Sequence, residues 1–183
     1  MQGIASPVIG YAGNISALRI DPAIIQHIAE KLPNCNIVLV GQADKEFEGL
    51  RRFSNIHFLG NKPPDTVASY FHHFDICINP QVLNEITVGN YPRKVDEYLA
   101  TGKPVVATET VAMKMFEQFV YLCKDKEAYA TTIKYIVDHP EETNSASIQQ
   151  QRKDFALSHT WENSIGLMGD AFYTTIKQQP HER

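Results

Sequence analysis

With 183 residues, 43% hydrophobic and 21% charged, the chain has the composition of a soluble globular protein and is long enough to bury a real core. A net charge of -4 gives no electrostatic case for nucleic acid. The three cysteines, Cys35, Cys77 and Cys123, show no CxxC spacing and sit in apolar runs, which argues against a disulfide framework or zinc site and for reduced core thiols of a cytosolic protein. No basic region followed by an apolar run opens the sequence, and no stretch approaches the roughly 18 apolar residues of a membrane span. The expected location is cytoplasmic, with a peripheral membrane association left open.

The first predicted strand is Val8-Ile9-Gly10-Tyr11-Ala12, running into Gly13. Asp21-Pro22 then supplies a cap and an opening proline for a helix through Leu32. Further strands are predicted at Ile37 to Gly41, Ile56 to Gly60, Asp75 to Pro80, Val105 to Thr108 and Val120 to Cys123. Helices are expected around Asp65 to Phe74, from Pro92 to the Gly102 stop, and from Asp125 to Val137. These strands are apolar continuously rather than at every second residue. Alternation of such strands with helices predicts an α/β fold: a doubly wound, Rossmann-like parallel sheet of about six strands, helices on both faces and helices at the C-terminus. Residues 1–183 are expected to form a single domain.

Past Val137, Pro140 is expected to open one helix toward Ser158, and Thr160 to cap a last one. In that last helix Trp161, Ile165, Met168, Phe172 and Ile176 recur at helical spacing. This stripe predicts burial, either on the domain's own core or against a partner surface.

Ligands of an open parallel sheet bind beyond the carboxyl ends of its strands. After the first strand, Gly13-Asn14 can bring backbone close to a ligand, and Arg19 is a candidate diphosphate contact. The three-glycine dinucleotide fingerprint is absent there. After the third strand, Gly60-Asn61-Lys62 is either a base-facing turn or simply a strand end. The stretch from Pro80 to Pro92 is long for an unstructured connection and carries Asn84, Glu85, Thr87, Gly89 and Asn90, groups suited to a sugar phosphate. At Pro92, which suits the first helical position, the opening helix end favours an anion. Lys94 adds a point charge, and Glu97, one turn on, can accept hydrogen bonds from ribose hydroxyls. The alternative is a solvated Lys/Glu pair. His72-His73 show no metal-ligand spacing, and no paired acids for a divalent ion flank the phosphate site, so no metal and no cofactor are expected.

Pro92-x-Lys94-x-x-Glu97-Tyr98-Leu99-Ala100-x-Gly102-Lys103-Pro104-Val105-Val106, with Tyr11-Ala12-Gly13-Asn14, Phe58-Leu59-Gly60-Asn61-Lys62, Phe74-Asp75-Ile76 and Trp161, resembles the C-terminal half of group 1 GT-B glycosyltransferases. These enzymes face two Rossmann-like domains across a cleft, the C-terminal one holding the nucleotide-sugar donor. The resemblance implies a donor-binding half, an acceptor domain missing from this chain, transfer without a metal and with retained anomeric configuration, and no turnover by this half alone. It places Glu97 at the ribose, Lys94 at the donor phosphate, Gly13 and Arg19 on the diphosphate side, and the Asn61-Lys62 backbone at the base. Many members carry a second glutamate eight positions before the ribose one. Here that position is Gly89, and Glu85 or Asn84 is the substitute, Glu85 being the one catalytic candidate. Any membrane association would run through the missing half. Two alternatives stay open: a nucleotide or nucleotide-sugar binding module without catalysis, and half of a sugar-nucleotide epimerase. A phosphoacceptor receiver domain would need acids where Gly13-Asn14 and Gly60-Asn61 stand.

Overall fold

The structure, a computed structural model, describes Met1 and residues 3–178, with backbone alone at Ser164 and residues 175–178. Six strands, β1 (Val8–Ala12), β2 (Asn36–Val40), β3 (Ile56–Gly60), β4 (Ile76–Asn79), β5 (Val105–Thr108) and β6 (Val120–Cys123), form one sheet in the order β3-β2-β1-β4-β5-β6. Every paired neighbour is parallel. This is the doubly wound α/β architecture that the apolar strand runs imply.

Alternation along each strand divides the core in two. Ile9, Tyr11, Ile37, Leu39, Ile76 and Ile78 face α1 (Pro22–Lys31) and α4 (Lys126–Asp138). On the other face Val38, Val40, Cys77 and Val105 meet α2 (Pro64–Phe71) and α3 (Arg93–Leu99), with Ala156 of α6 (Ala146–Ser158) closing the layer. Both long helices of the first layer start on an aspartate cap. Asp21 accepts from the Ala23 N–H and Asp125 from the Ala128 N–H, each at 2.8 Å. The three cysteines are buried and unpaired.

Several expectations need correction. Pro92 lies just outside its helix rather than at the first helical position, because the Arg93 and Val95 amides close tight turns onto Tyr91 and Pro92 carbonyls, at 3.0 and 2.7 Å. The helix stops at Leu99, and the turn that follows it closes on Gly102, whose φ of +79° an L side chain rarely adopts. The helix expected to reach Phe74 stops at Phe71, so that Phe74 turns into the core under Gly10.

The helix expected from Pro140 to Ser158 is broken into α5 (Pro140–Thr143) and α6. At the break the Thr143 hydroxyl donates to the His139 carbonyl at 2.8 Å, competing with helix continuation. Arg152, 2% exposed, fills the gap and donates to the carbonyls of Thr143 and Gly102 and to Asn144 Oδ1, at 2.7, 3.1 and 3.1 Å. Replacing Arg152 with leucine leaves those acceptors without donors. A loss of about 2 kcal/mol is expected, read as a lower urea midpoint with an unchanged slope; an unaltered midpoint would contradict the role.

The last helix, α7 (Trp161–Gln178), departs furthest from expectation. Its stripe is not buried on this domain: Trp161, Ile165, Met168 and Phe172 are 60–68% exposed, and the Ile176 side chain lies outside the described residues. Both sheet faces are already covered by other helices, so no core surface remains for it. Among the described residues no helix is long and apolar enough to cross a membrane.

Candidate functional site

From β1 the chain winds outward to β2 and β3, then returns to β4 beside β1 and winds the other way. Loops leaving the carboxyl ends of β1 and β4 therefore diverge, and the crevice they open is where ligands of such sheets bind. A cavity of about 180 Å³ occupies this place, lined by Tyr11, Arg19, Asn79, Gln81, Asn90 and Lys94 with the Tyr91–Arg93 segment as its rim.

The loop after β1 is fixed from both sides. Gly13 and Ile15 amides donate to the carbonyls of Val40 and Gln42, at 2.8 and 2.9 Å. The segment after β4 is tied to it in turn: Val82 N–H donates to the Arg19 carbonyl and Asn84 Nδ2 to the Leu18 carbonyl, both at 2.9 Å. Within that segment Asn84 Oδ1 accepts from the Ile86 and Thr87 amides. The presumed open connection is thus a hydrogen-bonded turn, and Asn84 is occupied in holding it.

Lys94 is the centre of the cleft. Its ammonium donates to the Ala12 carbonyl, lies 4.9 Å from the Tyr11 ring centre, and sits so close over Gly13 that a Cβ there would meet Nζ at 2.2 Å. The fully buried Tyr98 secures the same strand end by accepting from the Ala12 N–H at 2.9 Å. Burial pushes the Lys94 pKa below the ordinary lysine value, Glu97 pulls it back up and the Arg19 guanidinium lowers it further. Among the described residues no carboxylate comes within ion-pair distance of this ammonium. Tyr11, raised by burial to about 12, stays a neutral phenol and donates to the Asn14 carbonyl at 3.0 Å.

Glu97 opens elsewhere. It faces Arg93 at 3.5 Å and lines a neighbouring groove of about 460 Å³ with Asp96, His159 and Trp161; Tyr91 and Arg93 border both cavities. In that groove Tyr91 donates to Asp96 Oδ2 at 2.5 Å. His159 Nδ1 lies 3.3 Å from Asp96 Oδ1, near enough for an ion pair but too poorly aligned for a hydrogen bond. Burial raises the Asp96 carboxyl, against the pull of Tyr91 and His159.

Of the residues singled out in the sequence, the cleft brings together Arg19, Thr87, Asn90 and Lys94, with Gly13 under the ammonium. Glu97 is one ridge away. Asn14, Asn61, Glu85 and Gly89 are exposed, Lys62 is partly buried, and none lines the cleft. Gly89 has no neighbour near the place of a Cβ. Tyr11, Asn79, Gln81 and Tyr91 line the cleft without having been anticipated. Asn79-Pro80-Gln81 at a strand end was visible, but its place beside β1 depends on strand order, which local pattern does not encode.

Residues 6–139 match the family described as glycosyl transferases, group 1. The chain belongs to this family. The group 1 chain is 32% identical over 126 residues to a Bacillus subtilis protein named as a teichuronic acid biosynthesis glycosyltransferase, TuaH, a match covering 66% of this chain and 32% of that one. Anabaena HepE crystallised with UDP superposes with a TM-score of 0.75 at 17% identity, over 92% of this chain and 49% of HepE. A Rickettsia africae glycosyltransferase gives 0.73 at 18% identity, over 98% of this chain and 49% of that one. The group 1 chain therefore spans about half the length of these solved structures and a third of TuaH, and the likeness to the solved structures extends to the α/β fold.

Proposed function

We propose that this chain is the donor-binding half of a glycosyltransferase, with residues 1–183 forming one Rossmann-like domain that takes a nucleoside-diphosphate sugar. The observation that carries this reading is Lys94: a desolvated ammonium beside a second cation, Arg19, at the sheet's switch point and, among the described residues, without a carboxylate in ion-pair reach. A cation kept there at an energetic cost is matched by an anionic ligand. HepE, of similar fold, has been crystallised with UDP and with UDP-glucose, which makes a uridine nucleotide the first ligand to test.

At about 180 Å³ the cleft is smaller than the roughly 300–1,000 Å³ that enclose whole small-molecule ligands. It fits the diphosphate and sugar, while the nucleoside lies outside. In this reading Glu97 accepts hydrogen bonds from the pentose, and the Asn61-Lys62 backbone meets the base. Lys94, Arg19 and the Gly13 backbone stabilise charge as the glycosidic bond to the diphosphate breaks. Among the described residues the lining carries no carboxylate for a divalent ion, which supports a transfer without a metal. The family resemblance supports retention of anomeric configuration. Acceptor groups come from an additional domain, which the greater length of the relatives supports.

Calorimetric titration of UDP and GDP tests the site. Glu97 is half exposed and shared with Arg93, so Glu97→Ala is expected to weaken binding by about 1.5 kcal/mol, roughly tenfold. Unchanged affinity would remove the pentose assignment. The isolated chain is expected to bind without transferring sugar, and robust turnover by it would refute the two-domain reading.

A further inference from the structure

We propose that Asn79 and Gln81 form the sugar-reading floor of the cleft, contacting hydroxyls of the transferred sugar. This rests on the nucleotide-sugar reading of the cleft and adds to it the residues that select the sugar.

The cleft has two chemistries. Lys94 and Arg19 bring charge from α3 and from the loop after β1; Asn79 and Gln81 bring neutral amides from the end of β4. An anionic phosphate is served by the first pair. A sugar hydroxyl, both donor and acceptor, is served by the second, because a primary amide offers two N–H groups and two lone pairs. Their use within the protein is incomplete. Gln81 Nε2 donates to the Thr87 carbonyl at 2.6 Å, and Gln81 Oε1 accepts from Asn79 Nδ2 at a long 3.4 Å. Among the described residues no donor reaches Asn79 Oδ1. One N–H and one lone pair on Gln81, and one N–H and both lone pairs on Asn79, remain for a ligand.

Asn79 is only 7% exposed, yet it lines the cavity. It is also held from behind: its carbonyl accepts from the fully buried Tyr129 hydroxyl at 2.8 Å and from the Gln81 N–H at 2.9 Å. A buried amide with spare capacity, locked in place and opening onto a cavity, is prearranged for polar recognition.

The test compares dissociation constants of UDP and GDP with those of UDP-glucose, UDP-galactose, UDP-N-acetylglucosamine and GDP-mannose, for wild type, Asn79→Ala and Gln81→Met. Each variant is expected to lower the affinity for the free diphosphate less than that for the sugar nucleotide, the additional loss reporting the sugar contact. For the sugar nucleotide that wild type binds most tightly, the ratio of its dissociation constant to that of its own diphosphate should rise roughly two- to tenfold, the worth of a neutral hydrogen bond. A ratio that stays constant for every sugar nucleotide in both variants, or a variant that loses free diphosphate as severely as sugar nucleotide, overturns the assignment. Failure of wild type to bind either diphosphate instead removes the underlying reading of the cleft.

Discussion

Replacing Lys94 with methionine is expected to weaken UDP binding by about a hundredfold while making the unliganded protein slightly more stable. The two effects have one cause. Without ligand, the ammonium is buried against the Ala12 carbonyl and the Tyr11 ring, near Arg19, and its charged form is disfavoured relative to the unfolded chain. Methionine has a similar length and no charge, so that penalty disappears. With a diphosphate in place, the same ammonium makes a charge-assisted hydrogen bond in a partly water-excluded cleft, which methionine cannot replace.

The sign of the pH dependence follows. A lysine whose folded pKa lies below its unfolded value penalises the fold while it is protonated. The unliganded protein should gain stability as pH rises through the depressed value toward the ordinary one. A bound phosphate favours the ammonium and raises that pKa again, so binding takes up a proton, and affinity falls across the same alkaline window. Titrations in two buffers of different ionisation enthalpy should show this uptake in wild type and not in Lys94→Met. Equal affinity of the two proteins for UDP would end the phosphate assignment.

How much of this was legible in the sequence depends on the range of the interaction. The strands were readable because Ile37-Val38-Leu39-Val40 and Val105-Val106 are apolar on both faces, which is what burial between two helical layers demands. The Lys94 region was readable because proline before a helix and glycine after it act locally. Spacing could not show that Lys94 and Glu97, one turn apart on α3, open into different cavities divided by Tyr91 and Arg93. Nor could it show that Asn84 is spent on its own turn, or that Asn79 and Gln81 reach the cleft, since these depend on which strands become neighbours. The α7 stripe shows the remaining limit. Periodicity reports that one face of a helix is apolar and is silent on what would cover it.

Substituting alanine for Gly41 should be strongly destabilising, and it should damage the site along with the fold. Gly41 sits at φ +143°, and a Cβ there would lie 1.8 Å from the carbonyl oxygen of Gly13. That obstacle is backbone and cannot rotate away. The Gly13 amide is fixed to the Val40 carbonyl at 2.8 Å, and the Gly41 amide to the Gly60 carbonyl at 2.9 Å, so relief requires the loops after β1, β2 and β3 to separate. Backbone strain and steric overlap each cost about 1–3 kcal/mol, which places the expected loss at about 2–6 kcal/mol. Because Gly13 lies directly beneath the Lys94 ammonium, whatever Gly41→Ala shifts is transmitted to the proposed phosphate contact, and UDP affinity should fall even where the protein remains folded. Gly49→Ala is the matched control: its Cβ would enter open space, and fewer unfolded conformations should make it neutral or stabilising by up to about 1 kcal/mol. Denaturant midpoints and UDP titrations on the pair separate a general loss of glycine from a specific contact. Similar behaviour of the two variants would mean that the Gly41–Gly13 approach does not hold the cleft together.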